Sequence, residues 1–546
     1  MSNGTTELVI FGLDGATFDV IGPMVARGDL PTFARLMREG SSGPLLSSPI
    51  PVSPCAWTCI TTGKNPAKHG IYDFCHRKPG TYQIEVVNST CVRSKHLWDL
   101  VGEAGKRCAV VNVPVTFPPR RVNGILVSGL LTPSVRSRFT WPDSLRAELL
   151  DAVPAYQIAT SEVFDPKRPD RFAASVREVL QAREQAVRHL HQTHGADFEM
   201  HVFMALDHIQ HKLWREPGAE ADPSGAPSRA VLDMYREMDG CLGRLLDAFD
   251  EETTFLVVSD HGFGPLDKVL RINRWLMRER WLALKPSWHL AVRKWIARTD
   301  LAARTYRLMQ RCGLGNIARF VPKKAQHLAA TSGISFDDVD WSHTKAYSYG
   351  EFGQIYVNLK GREPQGFVER GEEYNELLET ITERLKALRD PDSGAPIVTK
   401  VCRKEELYHG NLLDQAPDLT FAIGDFRYDA SVAFGFEREN VIAKTEFFDT
   451  GSHRPEGILF ARGPAIRSGV TITGASVYDV APTALHLIGL PVPEDMDGNV
   501  LTDMLTVGRP VSYAAASAET ATETSEMSDE DRRAIEERLR ALGYMD

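Results

Sequence analysis

Short apolar runs, closed by polar or glycine-rich turns, set the rhythm of this chain. ELVIFGLDG (7–15), CAVVNVPVTFP (108–118), GILVSGLL (124–131), EMHVFMALDH (199–208), TTFLVVSDHGFG (253–264) and GILFARGP (457–464) are rich in Val, Ile, Leu and Phe. None alternates cleanly between apolar and polar. Strands buried on both faces read this way, as in a parallel sheet covered by helices. Helical patterns fall between them, at 31–39 and over the long segment 168–193. The βαβα alternation predicts an α/β fold with a doubly wound, mostly parallel sheet and helices on both faces.

Residues 266–440 break that rhythm. LDKVLRINRWLMRERWLALKPSWHLAVRKWIARTDLAARTYRLMQ is basic, Trp-rich and helical in period, and KAYSYGEFGQIYVNLK (345–360) reads as antiparallel strands. The expected organisation is an α/β core in two parts, 1–265 and 441–512, interrupted by an inserted α+β cap at 266–440. Sites so often lie between domains that the cap is expected to shape substrate choice. A structural elaboration without substrate contact is the blander alternative. Trp275, Trp281, Trp288 and Trp295 recur every six or seven residues, a spacing read first as packing and second as a contact between copies of the chain. Residues 513–546 hold a low-complexity linker, AAASAETATETSEM, and a short helix with Ser528 as its N-cap.

Composition changes the picture little. The chain has 546 residues, 43% hydrophobic and 25% charged, which is long enough for one large α/β domain with an insertion. With 63 Lys and Arg against 72 Asp and Glu, the net charge is −9. That balance argues against a general binder of nucleic acid or anionic membranes. MSNGTTELVIFGLDG has no basic leader, and no apolar run reaches about 18 residues, so neither export nor a membrane span is expected. The eight cysteines are scattered with no CxxC pair, which fits reduced thiols and an expected cytoplasmic location.

Four segments end in metal-ligand chemistry. The first apolar run closes on Asp14; another carries Asp207, with His211 four residues on; SDHG supplies Asp260 and His261; and DTGSHRPEG offers His453. In open α/β sheets, ligands gather outside the carboxyl ends of the strands. One Asp closing a strand is usually a cap or turn former, and one loop His is usually only hydrogen-bonded. Three carboxylates and three imidazoles converging on one edge are different. That donor set suits two divalent cations, zinc first and manganese next. Two such ions about 3.5–4 Å apart clamp the attacking and leaving oxygens of a displacement at phosphorus.

PIPVSPCAWTCITTGKNPAKHG (49–70) adds six side chains able to attack an electrophile: Ser53, Cys55, Thr58, Cys59, Thr61 and Thr62. The order Asp, then Ser/Thr near TG..P..HG, then D...H, DHG and H resembles the alkaline phosphatase superfamily. It is most similar to the type I phosphodiesterase/nucleotide pyrophosphatase family, over 7–75, 199–265 and 445–505. The closing YDVAPTALHLIGLPVPEDMDGNVL (478–501) resembles the end of that catalytic core. The resemblance implies one cation on Asp207, His211 and His453 and another on Asp14, Asp260 and His261. It leaves His208 as a supporting or surface residue and His69 as structural. It places the nucleophile nine residues before the Thr of the TG pair, at Ser53, which would also touch metal. A Ser just before Pro54 suits the N-cap of a helix over 54–62, whose positive end welcomes a phosphoryl group.

The resemblance also implies an Asn about twenty residues beyond the nucleophile, donating to a phosphate oxygen. Here HGIYDFCHR offers Asp73 and Phe74 instead. Lys64, Asn65, Asp73, the Ser53–Pro54 turn or a basic residue of the cap are the candidates for phosphate contact. The activity implied is hydrolysis of a small phosphorylated substrate, first as a phosphodiesterase, through a phosphoseryl intermediate. The alternatives are a phosphomonoesterase or phosphoryl-type transferase, and, from another class, a noncatalytic binding protein. The sulfatase pattern C/S-x-P-x-R is not met by SPCAW.

Overall fold

A computed structural model describes residues 6–216, 225–287, 335–432, 434, 440–445, 449–506, 508–516 and 527–542. Trp288, Trp295, Cys312 and most of the expected linker fall outside the described residues. The central sheet has ten strands. Its middle is the parallel set Gly124–Val127, Cys108–Val111, Phe198–Phe203, Leu8–Leu13 and Thr254–Val258. The run at 457–464 is not part of that parallel set. It forms Glu456–Arg462, antiparallel to both Thr254–Val258 and Ser41–Leu46.

The unbroken apolar runs have a direct cause. Leu8 and Ile10 point into one buried cluster, and Val9, Phe11 and Leu13 into another on the opposite face. Phe198, Met200 and Val202 join the first, while Val257 and Phe255 join the second. A strand with a core on each side has no solvent face, so period-two polarity is lost. The first face is covered by helices Ser53–Thr62 and Val480–Leu487 and by Ile535 and Leu539 of Asp529–Leu542. The second is covered mainly by Pro169–His194, Ala205–Leu213 and Arg229–Leu246.

The region after 266 builds a separate apolar cluster running from Leu270 to Ile442. Its four-stranded antiparallel sheet is ordered Ala346–Tyr347, Gln354–Val357, Leu419–Ile423 and Val398–Arg403. Helix Glu372–Lys386 packs on it through Leu378, Ile381 and Leu385. Trp275 is buried there, with Trp281 edge-on at 5.4 Å. Tyr513–Ala514, at the start of the expected linker, pair in parallel with Val492–Pro493. Ser528 Oγ accepts from the Asp531 N–H, which caps the last helix. Among the described residues, no helix is long and apolar enough to cross a membrane.

Candidate active site

Each ligand candidate owes its place to one element end. Asp14 follows strand Leu8–Leu13, and Asp260 and His261 follow Thr254–Val258, which lies beside it in the sheet. Asp207 does not end a strand as expected. The neighbouring strand stops at Phe203, and Asp207 lies in the first turn of helix Ala205–Leu213, with His211 one turn on. His453 lies inside a short strand, Gly451–Arg454, just before the sheet strand Glu456–Arg462. The short strand pairs antiparallel with Gly262–Pro265, setting His453 opposite Phe263. A hairpin-like ladder therefore carries a residue from far along the chain to the DHG turn.

Asp207, His211 and His453 form one compact group of donor atoms, and Asp14, Asp260 and His261 another, each within 4.8 Å. The His261 and His453 rings stack 3.7 Å apart, so the two groups adjoin. All six residues are buried, five of them completely. His453 Nδ1 lies 2.7 Å from the Pro51 carbonyl, and His261 Nδ1 lies 3.0 Å from the Gly262 carbonyl. A carbonyl only accepts, so each Nδ1 carries the proton and each Nε2 presents a lone pair to the centre. The Nε2 of His453 then lies 2.9 Å from that of His211 and 3.3 Å from Asp207 Oδ1. The Nε2 of His261 lies 3.3 Å from Asp260 Oδ2 and 3.5 Å from Asp14 Oδ1.

The electrostatics ask for cations. Burial pushes the Asp14 carboxyl well up, and the charges of Asp260 and Asp207 push it further. Asp260 is raised by burial and by Asp207. Asp207 goes the other way: despite burial, His211 beside it holds it well below the ordinary carboxylate value. Burial lowers both His261 and His453. Asp260 Oδ2 is fully buried and receives no hydrogen bond. Three buried carboxylates, lone pairs aimed inward and an unsatisfied oxygen are a donor set that fits divalent ions.

Ser53 Oγ stands at this cluster, 3.5 Å from Asp14 Oδ1 and 3.4 Å from His261 Nε2. It is not an N-cap. Val52, extended at φ −111°, is the cap, and its carbonyl accepts from the Ala56 N–H. Ser53 is the first helical residue, so its hydroxyl is released from capping and faces Asp14. Thr58, Cys59, Thr61 and Thr62 are buried within the helix. Gly63 ends it at φ 66°, where a Cβ would meet the Met496 sulfur at 3.0 Å. This is the TG pair of the motif, seen as a left-handed helix stop.

Sequence reasoning missed Trp57. Its indole N–H donates to Asp14 Oδ2 at 2.7 Å, fixing the carboxylate beside Ser53. Gly12 makes room: a Cβ there would lie 2.3 Å from the Trp57 ring. The spacing of four residues from Ser53, one helical turn, was the available signal.

The phosphate-contact candidates have partners within the protein. Lys64 Nζ pairs with Asp495. The Asn65 side chain caps the short helix Pro66–His69 and accepts from the His409 N–H at 3.2 Å. Asp73 is buried and accepts from the N–H groups of Phe74 and Glu351 and from Gln354 Nε2. Burial pushes its carboxyl up to about 7. His69 accepts from the Ile71 N–H and lies 3.3 Å from the Cys59 thiol, inside the core. His208 is buried rather than at the surface.

Fold, site and family together define a phosphoester hydrolase. The type I phosphodiesterase/nucleotide pyrophosphatase model matches residues 8–435, and the chain belongs to that family. The fold is shared with phosphonoacetate hydrolase from Sinorhizobium meliloti 1021, solved with phosphonoformate. Identity there is 16% and the TM-score 0.52, covering 89% of this chain and 96% of that one. It is shared too with murine ectonucleotide pyrophosphatase/phosphodiesterase 5, solved as an inactive variant with AMP. In that case identity is 14% and the TM-score 0.50, covering 92% of this chain and 100% of that one. No curated protein matches the chain in sequence.

Proposed function

We propose that the chain hydrolyses a phosphodiester by double displacement through Ser53, at a site holding two divalent cations, zinc before manganese. The observation that carries this is the placement of Ser53 Oγ within 3.5 Å of Asp14, a member of one donor group, while His261 of that group stacks on His453 of the other. Asp207, His211 and His453 would hold one cation, and Asp14, Asp260 and His261 the other. Bound there, the ions supply positive charge that lowers the serine hydroxyl's pKa and offsets the charge developing on the phosphoryl oxygens.

The protein's own part is positioning. Ser53 Oγ gives up its proton and attacks phosphorus in line, the bond to the leaving alcohol breaks with that oxygen taking up a proton, and the phosphoryl group, still bearing its second ester, rests on Ser53. Water then attacks from the vacated side and loses a proton, the Ser53–phosphorus bond breaks, Ser53 Oγ is reprotonated, and the phosphomonoester leaves. Trp57 holds Asp14 in place throughout, and the helix starting at Ser53 turns its positive end to the phosphoryl group. The described cysteines are free thiols, which supports the cytoplasmic reading.

Purified protein should be assayed on bis-p-nitrophenyl phosphate, p-nitrophenyl phosphate, nucleotides and pyrophosphates, with and without chelator. Preference for the diester, lost on chelation and restored by zinc or manganese, is the expected result. Preference for the monoester would move the reading to a phosphomonoesterase. Full activity in chelator would overturn it.

A further inference from the structure

We propose that Phe352, carried by the inserted region, is a positioning residue that fixes the His453 imidazole for metal binding. The inference rests on the two-cation reading above. His453 is set in its plane by the Pro51 carbonyl at Nδ1, the stacked His261 ring, the His211 and Phe263 rings edge-on at 4.9 and 5.4 Å, and Phe352. The Phe352 ring stacks on His453 with centroids 5.4 Å apart and planes 29° apart. Phe352 is 8% exposed and packs into the apolar cluster of the catalytic core, although its chain neighbours belong to the insertion.

The backbone under that ring is strained. Phe352 has φ 52°, between Gly350 at 82° and Gly353 at 48°. A bulky residue in the left-handed region is strained and persists only where its surroundings over-determine it. Here they do. Asn273 grips Ser348 through both its N–H and its carbonyl, at 2.9 Å each. Tyr349 stacks on Tyr356 at 4.2 Å. Asp73 accepts from the Glu351 N–H at 2.7 Å and from the Gln354 side chain. The carboxyl expected near phosphate instead tethers the turn that delivers Phe352.

Packing alone would explain a buried ring, so the test must separate packing from positioning. Zinc affinity should be measured by competition with a chromophoric chelator for the full-length wild type, Phe352→Ala, Phe352→Leu and Phe352→Tyr. Melting in excess chelator gives the metal-free stability of each. The wild type should bind two ions. Phe352→Leu, which keeps apolar bulk without an aromatic ring, should lose about 10–100-fold in affinity for one ion and keep the other unchanged. Phe352→Tyr should restore both, and the Leu and Tyr variants should melt alike in chelator. If Phe352→Leu binds both ions as the wild type does, or if the two affinities fall together in step with metal-free melting, the ring only packs and the inference is wrong. Should Phe352→Ala not fold, the Leu and Tyr pair decides alone. A wild type that binds no divalent ion would instead overturn the two-cation reading, a separate result.

Discussion

Ser53 Oγ lies 3.4 Å from Nε2 of His261, whose other nitrogen is turned to the Gly262 carbonyl. The hydroxyl therefore faces a lone pair, in the same donor group as Asp14 and Asp260. If that hydroxyl is the nucleophile, Ser53→Ala should lower kcat on the order of 10³-fold or more. Its metal content should remain that of the wild type. Steady-state kinetics with elemental analysis of the same preparation checks both. A variant that loses activity only in step with lost metal would make Ser53 a ligand and nothing more.

Trp57→Phe keeps the ring against Gly12 but removes the donor to Asp14 Oδ2. Metal affinity should drop about 10–100-fold, because an oriented ligand becomes a free one. Stability should fall by only about 1–3 kcal/mol, the cost of one unsatisfied buried acceptor. Metal titration alongside urea unfolding of the metal-free protein separates the two effects.

Protons should compete for the site at higher pH than for ordinary carboxylates. Burial and mutual repulsion raise Asp14 and Asp260, and a raised carboxyl takes its proton earlier as pH falls. Dialysis over a pH series, followed by elemental analysis, should show metal leaving well above the ordinary Asp value of 3.8. Retention of both ions down to that value would contradict the electrostatic picture.

Asp73 gives a pH dependence away from the metals. Its folded-state carboxyl is pushed up to about 7 by burial, from 3.8. The folded form then holds its proton more tightly than the unfolded chain does, so this group's contribution is greatest below about 4 and is lost as pH rises to about 7. Asp73→Asn cannot ionise. Its stability relative to the wild type should improve across that window by roughly 4 kcal/mol, at about 1.4 kcal/mol per pH unit. Urea midpoints at several pH values measure the slope, and a flat difference would show that Asp73 is ionised at little cost.

The sheet was readable because burial on both faces leaves a plain mark: Leu8–Leu13 and Thr254–Val258 are apolar at every position save Gly12 and Thr254. The donor set was readable because Asp, His and their spacing within DHG and D...H are local. What was not local was lost. Glu456–Arg462 carries the same apolar signal as its parallel neighbours, and only its antiparallel register distinguishes it. Ser53 looked like a cap because Pro54 follows it, yet Val52 takes that role through its backbone. Asp73 was singled out from its distance along the chain, and its hydrogen-bond partners Glu351 and Gln354 lie about 280 residues further on, beyond any local pattern. Phe352 has no sequence signature at all, since neither a positive φ nor a stack on His453 is written in residue type.

The most direct test of the account is to trap the phosphoryl group. Metal-loaded protein turning over bis-p-nitrophenyl phosphate should be quenched in acid, digested and mapped by mass spectrometry. One phosphoryl-type adduct should appear, on the peptide containing Ser53, absent from Ser53→Ala and absent when chelator precedes substrate. An adduct on another residue, or a Ser53→Ala protein that turns the diester over at the wild-type rate, would contradict it.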